Sequence, residues 1–272
     1  PDVQVNYVEE IVSNKCLKSD VLCYWQMSGN IDSKVGVNSR YLPKGQNILV
    51  FNFGDPIEQL DLSQSNLPKK QFFIVPAIKS CTIINQRGKI DLFGISFIGE
   101  GLYKLIQQPV SKLISGFPNM LSGKYEDLFT ELKEINFADR VTRSEKFLLE
   151  NLNQKIKSPI FHMATEVIQE TKGVIMVSDI ADKVHVSERQ LQRLFKTRLG
   201  ISPKDYCKII RVNNYLEFIL SKNESVDWME LVVEYDYHDQ PHLINEVKSI
   251  ADLSPKKLLN LRDTLYHRYS RE

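Results

Sequence analysis

The chain has 272 residues, with 35 Lys and Arg against 34 Asp and Glu, 42% hydrophobic residues and 25% charged ones. That length predicts about two domains at the usual ~100–200 residues each, and the composition is that of an ordinary soluble globular protein. No apolar run approaches the ~18 residues needed to cross a bilayer and no signal peptide is visible, which argues against a membrane-spanning or secreted class and predicts a cytoplasmic protein.

The first hundred residues read as β-rich. VLCYWQMSG (21–29), NILVFNFG (47–54), QFFIVPAI (71–78), CTIINQ (81–86) and IDLFGISFI (90–98) are short apolar or alternating runs between turn residues. Their spacing fits a small β-barrel or cupin-like sandwich. From Gly101 the periodicity becomes helical, in GLYKLIQQ, KYEDLFTELKEI and FADRVTRSEKFLLENLNQKIK. The last run should be interrupted at Pro159. The predicted division is therefore 1–157, an α+β domain for sensing or dimerisation, and 158–272, an all-α domain. In the second part IFHMATEVIQE, VSDIADKV (capped by Ser178), SERQLQRLFKTRL, SPKDYCKIIRVNNYLEFILSK, WMELVVEY, DQPHLINEVKSIA and SPKKLLNLRDTLYHRY read as successive helices.

The second part repeats itself. GISPKDY (200–206) and DLSPKKL (252–258) align at an offset of 52, which also pairs Leu191 with Leu243, Phe195 with Val247 and Lys196 with Lys248. Upstream, IADKVHVS (180–187) matches LVVEYDYHD (231–239) with a turn one residue longer. Each unit reads as short helix, turn, helix and Ser-Pro helix start. This predicts two helix-turn-helix units, at about 178–200 and 228–252, joined by a long helix.

The first unit is built for a DNA groove. Ser187 and Gln190 form a capping box, and both are also candidate DNA contacts. Leu191, Leu194 and Phe195 fall on one side of the helix, while Arg189, Gln192, Arg193 and Lys196 fall on the other. Arginine can grip guanine and glutamine adenine with two hydrogen bonds, so Arg189, Gln192 and Arg193 are expected to read bases; Lys196 and Lys204 are expected to hold phosphates. Gly200 can take the left-handed conformation that ends the helix, and Ser202-Pro203 with Asp205 starts the next. Charge follows the same pattern: residues 172–222 carry 10 Lys and Arg against 5 Asp and Glu, residues 223–272 carry 6 against 10, and residues 1–150 carry 17 of each. In the second unit the offset places Pro241, Ile244, Asn245 and Lys248 at the groove-facing positions, and Gln240, His242, Asn245 and Lys248 are its candidate DNA contacts. Asp239 reads as an N-cap, and the local −4 opposes phosphate binding. The first unit is expected to carry most of the base reading.

IADKVHVSERQLQRLFKTRLGISPKDY and WMELVVEYDYHDQPHLINEVKSIADLSPKKL resemble the AraC/XylS-type (arabinose-regulator) family of bacterial transcription regulators. The resemblance implies two recognition helices in successive major grooves on one face of DNA. A joining helix of about 16 residues spans roughly 24 Å, which with its turns makes the ~34 Å separation reachable. YWQMSG, RYLPKGQNILVFNFGDP and LFGISFIGEGLYKLI look like the uncharacterised N-terminal domain of one subgroup. The chain departs from the family pattern at His185, Asp236 and Asp252, where glycine is usual, and at Val247, where phenylalanine is. Asp and His tolerate the left-handed backbone better than most residues.

Other chemistries find little support. All five histidines lie beyond residue 160, so the β-rich part lacks the ligands of a metal-holding barrel. No phosphate-loop, dinucleotide or nucleophile-elbow motif occurs. No enzyme, metal or cofactor is expected. Cys16, Cys23, Cys81 and Cys207 form no CxxC pair and read as reduced, buried small hydrophobes. Trp25, Arg40, Tyr41 and Phe97 are candidates to line an effector pocket, with core packing the alternative for the aromatic residues and a surface position for Arg40. The apolar stripe at Val141, Phe147, Leu148, Leu149 and Leu152 either pairs with a second copy or packs on its own domain. Double-stranded DNA is the expected partner, with RNA polymerase, a small-molecule effector and a second copy as candidate partners. The alternative function is a protein-interaction module that keeps the fold without operator specificity.

Overall fold

The computed structural model describes residues 3–31, 36–59, 71–114, 123–221, 232–235 and 237–260. A five-stranded antiparallel sheet runs in the order β1 (Val3–Ile11), β2 (Val21–Ile31), β8 (Gly88–Phe97), β4 (Asn47–Asn52), β6 (Phe72–Val75). Across from it lies a three-stranded sheet in the order β3 (Val37–Tyr41), β7 (Thr82–Gln86), β5 (Glu58–Gln59). All five strand runs read from the sequence are present; β1, β3 and β5 were not read from it.

Strand β4 explains the layering. Its residues 47–51 are all buried, because both faces of the larger sheet are covered. Ile48 and Val50 join Met27, Phe73, Ile90 and Leu92 on one face, with Trp25, Tyr41 and Ile84 packed against them. Leu49 and Phe51 join Tyr24, Phe93, Ile95 and Phe97 on the other. That second face is covered by α1 (Gly101–Ile106), α3 (Lys124–Leu132) and α4 (Phe137–Asn151), with the short α2 (Ser111–Ile114) beside them. The result is an α+β domain of two sheets with helices on one of them.

Helix α4 ends at Asn151, and Leu152 is extended, so it does not run on to Pro159. Pro159 instead opens α5 (Pro159–Glu170), with Ser158 as the cap accepting from the Phe161 N–H at 3.3 Å. A proline has no N–H to lose in the first turn. Val141, Phe147, Leu148 and Leu152 are buried against the β domain, so this stripe is not free to pair with a second copy; Leu149 alone of the five stays exposed.

The rest is helical: α6 (Val177–Lys183), α7 (Glu188–Arg198), α8 (Pro203–Ser221), α9 (Gln240–Ala251) and α10 (Pro255–Asn260). One apolar cluster unites both helix-turn-helix units, through Leu191, Phe195, Ile209, Tyr215, Leu243 and Val247. Leu42, Ala77 and Cys81 of the β domain belong to that same cluster. Among the described residues no helix is long and apolar enough to cross a membrane.

The cysteines are free; Cys16 is exposed, contrary to its expected burial, and the other three are buried. Loss of solvent pushes the Cys23 thiol up to about 11 and the Cys207 thiol up to about 12. A thiol reagent at pH 8 should therefore modify Cys16 in the native protein and reach Cys207 only after unfolding. Rapid native modification of Cys207 would contradict the packing of α8.

Candidate nucleic-acid interface

Helix α7 is set by its ends. The Ser187 hydroxyl accepts from the Gln190 N–H at 3.2 Å, and the Gln190 side-chain oxygen accepts from the Ser187 N–H at 3.0 Å. Both side chains are thus committed to the cap. His185 in the preceding turn has φ 55, as its tolerance of the left-handed region allows, and Gly200 ends the unit at φ 96. Helix α6 begins after Met176 without a side-chain cap; Ser178 lies inside the helix, so the cap expected of it is absent.

Leu191 and Phe195 are fully buried and Leu194 is half-buried. Phe195 packs against Phe161 and Tyr206, with ring centroids 5.0 and 5.9 Å away. Arg189, Gln192, Arg193 and Lys196 are exposed on the opposite side. None of the four makes a side-chain hydrogen bond or ion pair with another described residue, so their donors are free. Lys204 is exposed in the first turn of α8, whose start is held by reciprocal bonds between Ser202 and Asp205. Gln192, Lys204, Lys208 and Arg211 line a notch of about 450 Å³ between the two helices.

Helix α9 is the counterpart of α7. Asp239 caps it by accepting from the His242 N–H at 2.8 Å. Leu243, Val247 and Ile250 are buried, and Val247 fills its place without the ring found in the first unit. Gln240, His242, Asn245 and Lys248 are exposed. His242 lies edge-on to the Tyr237 ring, at 5.4 Å between centroids. Asp252 ends α9 at φ 58, in the left-handed region as glycine would be. Trp228 and Asp236 lie outside the described residues.

Three acidic residues of the second unit are held in ion pairs. Glu246 is buried and held by Arg211 of α8, with Nε donating to Oε1 and Nη2 to Oε2 at 2.8 Å each, while the Tyr237 hydroxyl donates to Oε1 at 3.0 Å. Glu234 pairs with Lys172 at 3.0 Å and Asp252 with Arg40 at 2.8 Å. Three of the ten acidic residues in 223–272 are thus paired with cations from outside that segment. The sequence signal was available: Glu246 occupies the repeat position of Leu194, where a carboxylate needs a buried cation.

The four effector candidates do not converge. Phe97 faces the helices, while Trp25 and Tyr41 pack on the other side of the larger sheet. Arg40 is spent on Asp252. A separate cleft of about 410 Å³ lies between the larger sheet and the α3–α4 turn, lined by Gln26, Ser28, Phe53, Lys89, Lys133 and Arg140 among others. Arg140 there stacks on Phe53 at 4.3 Å and donates to Gln26 and Asp91 at 2.9 Å.

Residues 180–260, from α6 to α10, match the family described as a helix-turn-helix domain. These residues carry a helix-turn-helix domain. Residues 9–116 match a domain of unknown function, DUF6597. A search of curated proteins returns no match. Among solved structures, the chain is similar to a transcriptional regulator of the AraC-type DNA-binding domain-containing proteins from Chromobacterium violaceum, at 23% identity over 42% of this chain and 96% of that one, with a TM-score of 0.34. The C-terminal domain of AraT, a response regulator from Geobacillus stearothermophilus, is 26% identical over 39% and 87%, with a TM-score of 0.36. ToxT from Vibrio cholerae, bound to (E)-4-(8-methylnaphthalen-1-yl)but-3-enoic acid, covers 94% of this chain and 98% of its own at 10% identity and a TM-score of 0.45.

The Arg211–Glu246 pair makes the helix-turn-helix domain testable as one folding unit. Arg211→Met alone leaves a buried carboxylate without its cation and should cost about 3–5 kcal/mol. Arg211→Met with Glu246→Leu should recover most of that loss in a denaturant titration. Equal destabilisation by the single and double variants would contradict the pairing.

Proposed function

We propose that the chain is a sequence-specific DNA-binding transcription regulator whose first helix-turn-helix unit reads the major groove. The observation that carries this reading is the outer face of α7. Arg189, Gln192, Arg193 and Lys196 stand free and exposed on a capped helix, with Lys204 beside them. Free arginine and glutamine donors on a rigid helix are the groups that make bidentate contacts to guanine and adenine. Gln240, His242, Asn245 and Lys248 provide a second, less basic contact. The two parts divide at about residues 157 and 158, and the N-terminal part senses an effector, for which the Phe53–Arg140 cleft is a better candidate site than the four residues first considered.

The alternative, a protein-interaction module without operator specificity, drew its support from the acidic second unit. That support weakens once Glu234, Glu246 and Asp252 are paired internally.

Arg193→Ala should weaken binding to the operator by about 1–3 kcal/mol and relax the base preference at one position. Asn245→Ala should cost clearly less. Fluorescence anisotropy on cognate and scrambled duplexes measures both, and an equal loss on the two duplexes would refute base reading by Arg193. The logarithm of affinity should also fall as salt rises, by ~0.9 per neutralised phosphate. A slope near zero favours the interaction module.

A further inference from the structure

Each recognition helix is gripped at its C-terminal end by a different part of the β domain. At α7, the Val110 N–H donates to the Thr197 carbonyl at 2.9 Å, and Arg198 pairs with Glu100 at 3.0 Å. At α9, the Cys81 N–H donates to the Ile250 carbonyl at 2.6 Å, and Asp252 pairs with Arg40. A helix leaves its last carbonyls without partners, and here a backbone N–H of the β domain satisfies one on each helix. Under the 52-residue offset Arg198 corresponds to Ile250, so the two grips fall within about a turn of equivalent positions in the repeat.

The α7 grip is the more buried. Glu100 is fully buried; its Oε1 accepts from the Ser158 N–H at 3.2 Å and lies 3.4 Å from His162 Nε2, while Arg198 is on Oε2. Arg198 stacks on Tyr103 at 4.2 Å. Lys104, also buried, pairs with Asp20 at 2.7 Å and lies 3.9 Å from Glu100. Two buried carboxylates thus face two cations, and none of these charges can leave its place without exposing another. Between the grips, Asn213 of α8 donates to the Pro43 carbonyl at 3.0 Å and Asp205 pairs with Lys79 at 2.8 Å.

We propose that Glu100 and Arg40 are positioning residues for DNA recognition. Through them the β domain sets the separation of the two recognition helices, and so the spacing between the two halves of the operator that the chain accepts. The joining helix alone does not set it, because residues 199–202 stand between α7 and α8, and residues 222–239 separate α8 from α9. This rests on the DNA-reading function above.

The test uses the full chain on three kinds of duplex: the selected operator, versions with one or two base pairs added between its halves, and the half bound by the first unit alone. Wild type should prefer the native spacing by about tenfold or more, since two linked contacts multiply. Glu100→Gln should lose most of that preference while binding the half-operator within about twofold of wild type. Arg40→Gln breaks the more exposed pair, and it makes the same comparison if Glu100→Gln does not fold. Glu100→Gln with Arg198→Gln removes both charges and should show the same relaxed spacing without an unpaired guanidinium. Unchanged spacing preference in folded variants overturns the inference. So does an equal loss on half and whole operators, which marks a structural role only. A wild-type chain that binds no duplex overturns the DNA-reading function, and this inference with it, and is distinguished by the absence of any binding to compare.

Discussion

A carboxylate shut away from water needs its cation to stay in place, and Glu100 ties three parts of the chain together on that condition. Glu100 is the residue before α1, its carboxylate accepts from the backbone at Ser158 where the second half of the chain begins, and it pairs with Arg198 at the end of the recognition helix α7. Gly101 permits this closeness. A Cβ there would sit 2.0 Å from the Asp20 carbonyl oxygen, so the tight approach that lets Lys104 reach Asp20 depends on the missing side chain. Between the grips Gly45 has φ +68, and a Cβ there would sit 2.7 Å from the Tyr206 ring of α8. The two halves of the molecule are packed as parts of one body along this seam.

The division of labour between the two units also rests on charge placement. In the first, the cations Arg189, Arg193 and Lys196 point outward and unpaired. In the second, Arg211 is drawn inward to neutralise Glu246, and a carboxylate takes the place of a leucine. The second unit therefore trades a free cation for a buried network, and its exposed face keeps amide, imidazole and one lysine. This gives the two helices different chemistry on one repeated scaffold, in line with a strong and a weak contact on the same duplex.

Features set by neighbours in sequence were legible before the structure. The Ser187–Gln190 capping box, the Asp239 cap, the left-handed turns at His185 and Asp252 and the buried stripe of α7 all follow from residues within one or two helical turns. The long apolar strands β2, β4 and β8 were equally plain. Features set by distant partners were not. Strand β3 is five residues of mixed polarity, and β5 only two; both take their form from pairing with β7. Strand β1 alternates Val3, Val5 and Tyr7 with polar residues, but Glu9 and Glu10 obscure the pattern at an edge that faces water. The grips on α7 and α9 join residues about 90 to 210 positions apart, and no local pattern reports such a pair. Helix α4 kept its helical spacing past Asn151 in sequence, yet the chain turns there to reach Lys104, where the Asn153 N–H donates to the Lys104 carbonyl at 3.2 Å.

The most direct test is hydroxyl-radical footprinting of the full chain on a genomic fragment that it selects from a sheared library. Two recognition helices held on one rigid body predict two protected patches on the same face of the duplex, about one helical turn (~34 Å) apart. The patch beneath α7 should persist at salt concentrations that erase the other. A single patch, or protection spread evenly along the fragment, would contradict a bipartite reader.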